Sequence, residues 1–158
     1  MSRTAYDNFK AIAYAKAWCG KESNACGVFL KGENLSDCAH FLAHCLSAGG
    51  IVIKDTSGKL CPHGLAVRNV DLVAGLNKLA QSYENVFAIE LGDAIVGDVG
   101  FLKIERPRHA FMVCEPWNSF GDPLGTPKVH AHSGARCCEV MDTFWRQWLS
   151  DAFRLEDG

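Results

Sequence analysis

Residues 36–50 of the chain read SDCAHFLAHCLSAGG. Apolar side chains in this segment recur at i, i+3, i+4, i+7 and i+8: Cys38, Phe41, Leu42, Cys45 and Leu46. This spacing forms one apolar stripe and predicts an amphipathic helix over residues 38–48. Ser36 or Asp37 supplies its N-cap, and Gly49-Gly50 favours its end. Because this apolar stripe must be buried, another layer of secondary structure has to pack against this side of the helix.

The segments around this helix differ in their periodicity. Apolar residues at helical spacing predict two further helices, over residues 4–18 and 69–81. After residue 85 the pattern becomes that of short strands, over residues 86–91, 99–104, 111–114 and 128–132. Aromatic residues in the tail predict a short closing helix over residues 141–153. Helices first and strands afterwards predict an α+β fold in which N-terminal helices pack on an antiparallel β-sheet.

Composition and charge narrow the function classes. The chain has 158 residues, 48% of them hydrophobic and 22% charged, which is ordinary for one globular domain spanning residues 1–158. A formal net charge of -2 gives no electrostatic reason to expect nucleic acid or an anionic membrane surface as a partner. No apolar run approaches the roughly 20 residues that cross a bilayer, and no signal peptide is visible. We expect a monomer that acts in the cytoplasm, or in the periplasm after export by a leaderless route.

The cysteines are scattered between apolar segments: Cys19, Cys26, Cys38, Cys45, Cys61, Cys114, Cys137 and Cys138. They lack the compact spacing of a disulfide framework, so the sequence favours a reducing compartment in which most thiols are buried apolar groups. A disulfide between Cys19 and Cys26 would close a short loop. Spacing alone does not place two α-carbons within bonding range, so this pairing stays open.

Cys38 is the candidate nucleophile. A thiol reacts as the thiolate, which is favoured by the N–H groups at a helix N-terminus and by a nearby imidazole that takes the proton. Cys38 lies in the first turn of its helix and on the stripe that faces the sheet. Its backbone N–H is also placed to contribute to an oxyanion hole. Cys45, two turns further along the stripe, is expected to be a core residue.

His109 is the candidate base because it opens an apolar strand that can face the helix. The third member of the site would orient its imidazole. His130 and His132 alternate with Val129 and Ala131, so both point to one face of their strand. A chain reversal near residues 120–122 would place His109 opposite His132 and Phe111 opposite His130. His132 is the first choice for the orienting residue, and His130 is the second.

These segments resemble a known family. Residues 36–41 and 45–50 resemble the Asp-Cys-Thr-Asn-Phe and Cys-Leu-x-Ala-Gly-Gly motif of the putative amidase domain family, a branch of the NlpC-type papain-like cysteine peptidases. Gly97-Asp98-Val99 and residues 109–113 resemble its Gly-Asp-Val strand and its His-Val-Ala-Ile-Val strand. His132-Ser133 resembles the His-Ser pair that ends its next strand, and residues 129–131 resemble the Ile-His-Ala of NlpC relatives. One departure is His40, which stands where the family usually has Asn.

The resemblance implies a papain-like fold and a dyad of Cys38 and His109 with a polar third member, His132 or His130. It also implies hydrolysis of an amide bond, commonly in the peptides of the bacterial cell wall. The expected substrate is therefore a peptide or peptidoglycan. A secreted antibacterial effector of this kind would have a cognate inhibitor protein as its partner. The alternatives are a cytosolic peptide or isopeptide hydrolase and a non-catalytic binding module on the same fold, the latter suggested by the aromatic residues Phe144, Trp145 and Trp148.

Several histidines and cysteines could instead form a metal site. His40 and His44 are spaced i, i+4 on one helix face, and Cys137-Cys138 follow soon after His130 and His132. There is no Cys-x-x-Cys pair and no His-Glu-x-x-His motif, and Cys61-Pro62-His63 is a lone loop pair. The sequence therefore favours a solvated polar face for His40 and His44, and it predicts neither a metal nor a cofactor.

Overall fold

The protein is described by a computed structural model that covers residues 1–32, 35–57, 59–103, 107–116, 127–132, 136–140 and 149–158. The helices are α1 (Asn8–Trp18), α2 (Asp37–Ala48) and α3 (Asn69–Ser82). The strands are β1 (Lys31–Gly32), β2 (Leu35–Ser36), β3 (Val86–Ala88), β4 (Val99–Lys103), β5 (Pro107–Glu115), β6 (Lys128–Ala131), β7 (Arg136–Val140) and β8 (Leu149–Leu155). Strands β3 to β8 form an antiparallel sheet in the order β3-β8-β4-β5-β6-β7, and β1 pairs with β2. The predicted α+β class, with N-terminal helices on an antiparallel sheet, is confirmed.

Helix α1 begins later than predicted, at Asn8 instead of residue 4. Asp7 is its N-cap in extended conformation, and its carboxylate accepts a hydrogen bond from Lys10 N at 3.0 Å. This bond satisfies one of the N–H groups that the first helical turn leaves without a partner in the helix. Helices α2 and α3 begin and end within one residue of their predicted bounds.

Helix α2 is the central helix of the core. Residues 37–46 are all buried, so this helix has no solvent-exposed face along most of its length. His40 is 0% exposed and His44 is 3% exposed. The predicted solvated polar face was therefore wrong, because other segments cover the side of α2 that the amphipathic pattern left to water.

The sheet has two covered faces. Phe101, Ala110 and Met112 belong to the large core cluster that includes the apolar residues of α2. Leu102, Phe111, Val113, Val129 and Ala131 form a second cluster. Because side chains alternate along a strand, this division shows which residues of β4, β5 and β6 face the helices.

The closing helix predicted over residues 141–153 was wrong where it can be compared. Residues 141–148, with Phe144, Trp145 and Trp148, lie outside the described residues, but Leu149–Leu155 is a strand. It pairs with β3 on one side and with β4 on the other. Phe153 and Leu155 are 1% and 2% exposed, as expected for alternate residues that point into the core. Strand β7 was not predicted at all.

Two disulfides join distant parts of the chain. Cys19, the C-cap of α1, is bonded to Cys137 of β7, with their α-carbons 5.2 Å apart. Cys114 of β5 is bonded to Cys138, with their α-carbons 5.6 Å apart. Cys19 therefore does not pair with Cys26. The scatter of the cysteines hid this framework because pairing partners lie far apart in the sequence.

Among the described residues, no helix combines the length and the apolar character needed to cross a bilayer.

Candidate active site

Cys38 is the second residue of α2 and is 0% exposed. Its Sγ lies 3.8 Å from Asn69 Nδ2 and 4.0 Å from Asn69 Oδ1. Asn69 is the first residue of α3 and is itself buried. The predicted place of Cys38 in the first turn of its helix is confirmed. Its contact with Asn69 was not predicted, because it joins two helices whose relative position the sequence does not encode locally.

Asp37, directly before Cys38, is a buried carboxylate at the centre of a polar network. Its oxygens accept hydrogen bonds from Leu30 N at 2.9 Å, Asn24 Nδ2 at 2.8 Å, His40 Nδ1 at 2.8 Å and His132 Nδ1. Burial by itself raises the pKa of a carboxyl group. Here the hydrogen bonds, led by those from His132 and His40, outweigh burial and hold the pKa of Asp37 well below its usual range. Asp37 therefore stays ionised beside the candidate nucleophile.

His132, directly after β6, contacts helices α1 and α2. Its Nδ1 is bonded to Asp37, and its Nε2 lies 2.6 Å from the carbonyl oxygen of Trp18. The ring also stacks on Phe41, with centroids 4.1 Å apart. Both partners of the ring nitrogens are acceptors, so both bonds form when each nitrogen carries a proton. His132 thus lies beside the N-terminus of α2, but it directs its nitrogens to Asp37 and Trp18.

His109 lies on β5 and is partly buried. It is paired with Leu102 of β4, immediately after the register shift that separates this pair from the pair of Lys103 with Pro107. Paired residues share a face of the sheet, and Leu102 belongs to the second core cluster. Regular alternation therefore places His109 on the sheet face away from α2. Bulges of this kind re-aim side chains near active sites.

The predicted register between β5 and β6 was wrong by one residue. Met112 is opposite His130, where Phe111 had been expected. Because a slip of one residue moves a side chain to the other face, His130 and His132 lie on the face of Met112 and of the helices. The prediction that these two histidines share a face agrees with this register. The turn expected at residues 120–122 lies outside the described residues.

His130 is 4% exposed and is the second candidate for orienting the base. Its Nδ1 accepts a hydrogen bond from Cys138 N at 3.1 Å. Its Nε2 is buried without a hydrogen-bond partner in the described part of the chain. Burial, aided by the charge of Lys16, lowers its pKa. His130 therefore packs against the Cys114–Cys138 disulfide as a neutral ring.

A second cluster of reactive side chains lies beside Asp37 and consists of Cys26, His40, His44 and Cys61. Their ligand atoms all lie within 4.8 Å of one another. Cys26 Sγ is 3.5 Å from His40 Nε2, and Cys61 Sγ is 3.7 Å from His44 Nε2. The sequence showed only the i, i+4 pair of histidines, because the two cysteines come from separate loops.

Comparison with known proteins identifies the class of this fold. The chain superposes on the crystal structure of a Staphylococcus aureus protein described as similar to a lipoprotein of the NLP/P60 family, with a TM-score of 0.50 and 16% identity. The match covers 100% of this chain and 45% of the other, so the chain spans less than half of that protein. The predicted NlpC-type fold is confirmed.

A family model matches part of the sequence. Residues 5–60, which include α1, α2 and Cys38, match the model of the family described as putative amidase domain. The resemblance predicted from the sequence is therefore confirmed over this segment. No curated protein matches the chain.

Proposed function

We propose that the chain is a cysteine-dependent amidase or peptidase in which Cys38 is the nucleophile. The observation that carries this proposal is the position of Cys38, in the first turn of α2 and within residues 5–60 that match the amidase family. The N–H groups of a first helical turn favour the negative charge that attacking sulfur carries. Cys26 and Cys61 lie in loops, and Cys45 lies two turns further along α2. Cys38 is therefore the best placed of the thiols outside the two disulfides.

The reaction would proceed through a thioester. Sγ of Cys38 gives its proton to an imidazole and attacks the carbonyl carbon of the scissile amide, which forms a tetrahedral oxyanion. The C–N bond breaks, and the imidazolium donates its proton to the leaving amine. Water then hydrolyses the thioester and restores the thiol. Because Cys38 is 0% exposed, the substrate must displace the groups that cover the sulfur before attack.

His109 is the proposed base. A base needs a ring nitrogen with a free lone pair, and both nitrogens of His132 lie against the acceptors Asp37 and Trp18. Strand alternation places His109 on the sheet face away from α2, so its action as the base requires the register shift beside it in β5 to turn its ring toward Cys38. His132 then has a supporting role, since it holds Asp37 at the N-terminus of α2. His130 remains the second candidate for a supporting role.

Paired substitutions separate these roles. His109→Gln should lower kcat for amide hydrolysis by roughly 10²- to 10⁴-fold and leave the melting temperature almost unchanged, as expected for the loss of a general base. His132→Gln should mainly reduce the free energy of unfolding, by about 1–3 kcal/mol, because buried acceptors lose their donors. Kinetics and thermal melts of both variants measure the difference. If folded His132→Gln is inactive and His109→Gln is active, His132 is the base.

The proposed substrate is the stem peptide of peptidoglycan. Support comes from the resemblance to the amidase family and to the NlpC-type peptidases. The two disulfides also favour an oxidising compartment such as the periplasm over the reducing compartment that the scattered cysteines had suggested. A protein delivered there to act on a competitor's wall would be an antibacterial effector with a cognate inhibitor.

Digestion of purified sacculi tests this substrate. The intact protein should release new muropeptides that carry free amino groups, and Cys38→Ala should release none. Expression in the periplasm should be toxic, whereas expression in the cytoplasm should be tolerated. Intact sacculi together with cleavage of a soluble peptide would move the assignment to a peptide or isopeptide hydrolase. Binding to sacculi without any cleavage would indicate the non-catalytic module.

A further inference from the structure

We propose that Cys26, His40, His44 and Cys61 bind one zinc ion that has a structural role. The four side chains come from three separate segments, namely the loop after α1, helix α2 and the loop after α2. Two thiolates and two imidazoles are the ligand set of tetrahedral structural zinc sites. This site would be distinct from the nucleophile Cys38 and does not depend on the proposed hydrolysis.

The distances between ligand atoms match those of a tetrahedral site. Zinc bonds of about 2.3 Å to sulfur and about 2.0–2.1 Å to nitrogen, at tetrahedral angles, separate the two atoms by about 3.6 Å. The observed separations are 3.5 Å from Cys26 Sγ to His40 Nε2 and 3.7 Å from Cys61 Sγ to His44 Nε2. All four ligand atoms lie within 4.8 Å of one another. The side chains therefore already surround a space of the right size for the ion.

The surroundings of His40 supply the usual outer support of a metal ligand. Its Nδ1 donates to the carboxylate of Asp37 at 2.8 Å, which leaves the lone pair on Nε2, the nitrogen that faces Cys26. Histidines that bind zinc commonly donate their other ring N–H to a carboxylate or carbonyl in this way. The interaction also explains why a histidine stands at a position where the resembled family usually has Asn.

Burial argues against simpler explanations of the cluster. His40 and His44 are 0% and 3% exposed, and Cys61 is 3% exposed, so this is not a solvated helix face. A disulfide between Cys26 and Cys61 would not explain why the Nε2 atoms of two buried histidines, His40 and His44, also face these sulfurs. The cluster of Cys114, His130 and Cys138 differs, because its two cysteines are already bonded to each other. It serves as an internal comparison that should hold no metal.

Four protein ligands leave no open coordination position, which is the mark of a structural and not a catalytic site. The ion would tie two loops to α2. Through His40 and Asp37 it would also fix the residue that precedes Cys38. Loss of the ion should therefore loosen the loops at residues 20–30 and 51–66 before it affects the sheet.

Metal analysis of the full chain tests the proposal. Protein purified with supplied zinc and without reductant, so that both disulfides stay intact, should contain one zinc per chain. Cys26→Ser and Cys61→Ser should each weaken zinc binding by at least ~10-fold, since even outer partners of zinc ligands are worth that much. Cys45→Ala, which removes another buried thiol of α2, should retain the full zinc content.

Cobalt substitution keeps the test valid if the serine variants fail to fold. The intact protein loaded with Co²⁺ should show the intense visible bands of tetrahedral cobalt and a thiolate-to-cobalt charge-transfer band. Three results would overturn the proposal: less than a tenth of an equivalent of zinc after loading, octahedral cobalt, or full zinc content in Cys26→Ser and Cys61→Ser. Chelation of zinc should also speed amide hydrogen exchange in residues 20–30 and 51–66, and unchanged exchange there would contradict the structural role.

Discussion

Replacement of Cys38 with alanine is expected to lower kcat/KM for amide hydrolysis by roughly four orders of magnitude or more, because removal of a covalent nucleophile removes the route through the thioester. The residual rate of the variant would come only from substrate binding and oxyanion stabilisation. The free energy of unfolding should fall by about 1 kcal/mol, because the buried side chain loses its sulfur and leaves a small cavity. Hydrolysis of a short synthetic amide by intact protein and variant measures the loss.

Cys45→Ala is the matched control for this experiment. Cys45 lies on the same helix, is equally buried at 0% exposure and is not in a disulfide. Its replacement should reduce the free energy of unfolding by about 1 kcal/mol through the small cavity it leaves, with activity retained. If the Cys38→Ala variant is as active as the intact protein and the Cys45→Ala variant, Cys38 is not the nucleophile.

Removal of the Cys19–Cys137 disulfide should cause the largest loss of stability. The two cysteines are 118 residues apart, and the chain-entropy model assigns a bond across such a loop about 5 kcal/mol at 25 °C. The Cys114–Cys138 bond spans 24 residues, for which the same model gives about 3.5 kcal/mol. Urea unfolding of the double variants Cys19→Ala/Cys137→Ala and Cys114→Ala/Cys138→Ala should therefore show the larger shift in the first.

Thiol counting provides the control for the disulfide prediction. Mass spectrometry after alkylation under denaturing, non-reducing conditions should find both bonds in the intact protein. Eight alkylated cysteines in protein prepared without reductant, together with unfolding that reductant does not change, would contradict it.

Local sequence patterns predicted the part of the fold that local forces determine. The α2 helix follows from its own apolar spacing and from Gly49-Gly50, and Cys38 at its first turn follows from the same pattern. Gly50 has a φ of 104°, a backbone conformation that suits glycine at a helix end. These features depend on neighbours in the chain, so a single sequence contains enough information for them.

The predictions that were wrong concern strands, whose pairing depends on residues far apart in the sequence. The predicted register between β5 and β6 was wrong by one residue because residues 110–114 are a continuous apolar run, which fits either pairing until the turn is known. Leu149–Leu155 carries apolar residues that also suit a helix, and its strand state comes from pairing with β3 and β4. Tertiary partners override local preference in such segments.

The candidate site shows the same division. The sequence predicts Cys38, His109, His130 and His132 as site residues, and this stays a prediction, whereas the partners Asp37 and Asn69 were not assigned to the site. Both were visible in the sequence, but only the packing of α2 against α3 brings Asn69 to Cys38, and only its packing against β6 brings His132 to Asp37. Cys26 and Cys61 were missed for the same reason, since each is an isolated loop cysteine until the chain folds around α2.

The direct test of the central claim is to trap the covalent intermediate. Intact protein is mixed with an activated peptide ester, quenched in acid during turnover and mapped by peptide mass spectrometry. The mass of the acyl group should appear on the peptide that contains Cys38, and neutral hydroxylamine should release it, as expected for a thioester. An acyl group on another residue, or normal turnover by Cys38→Ala, would contradict it.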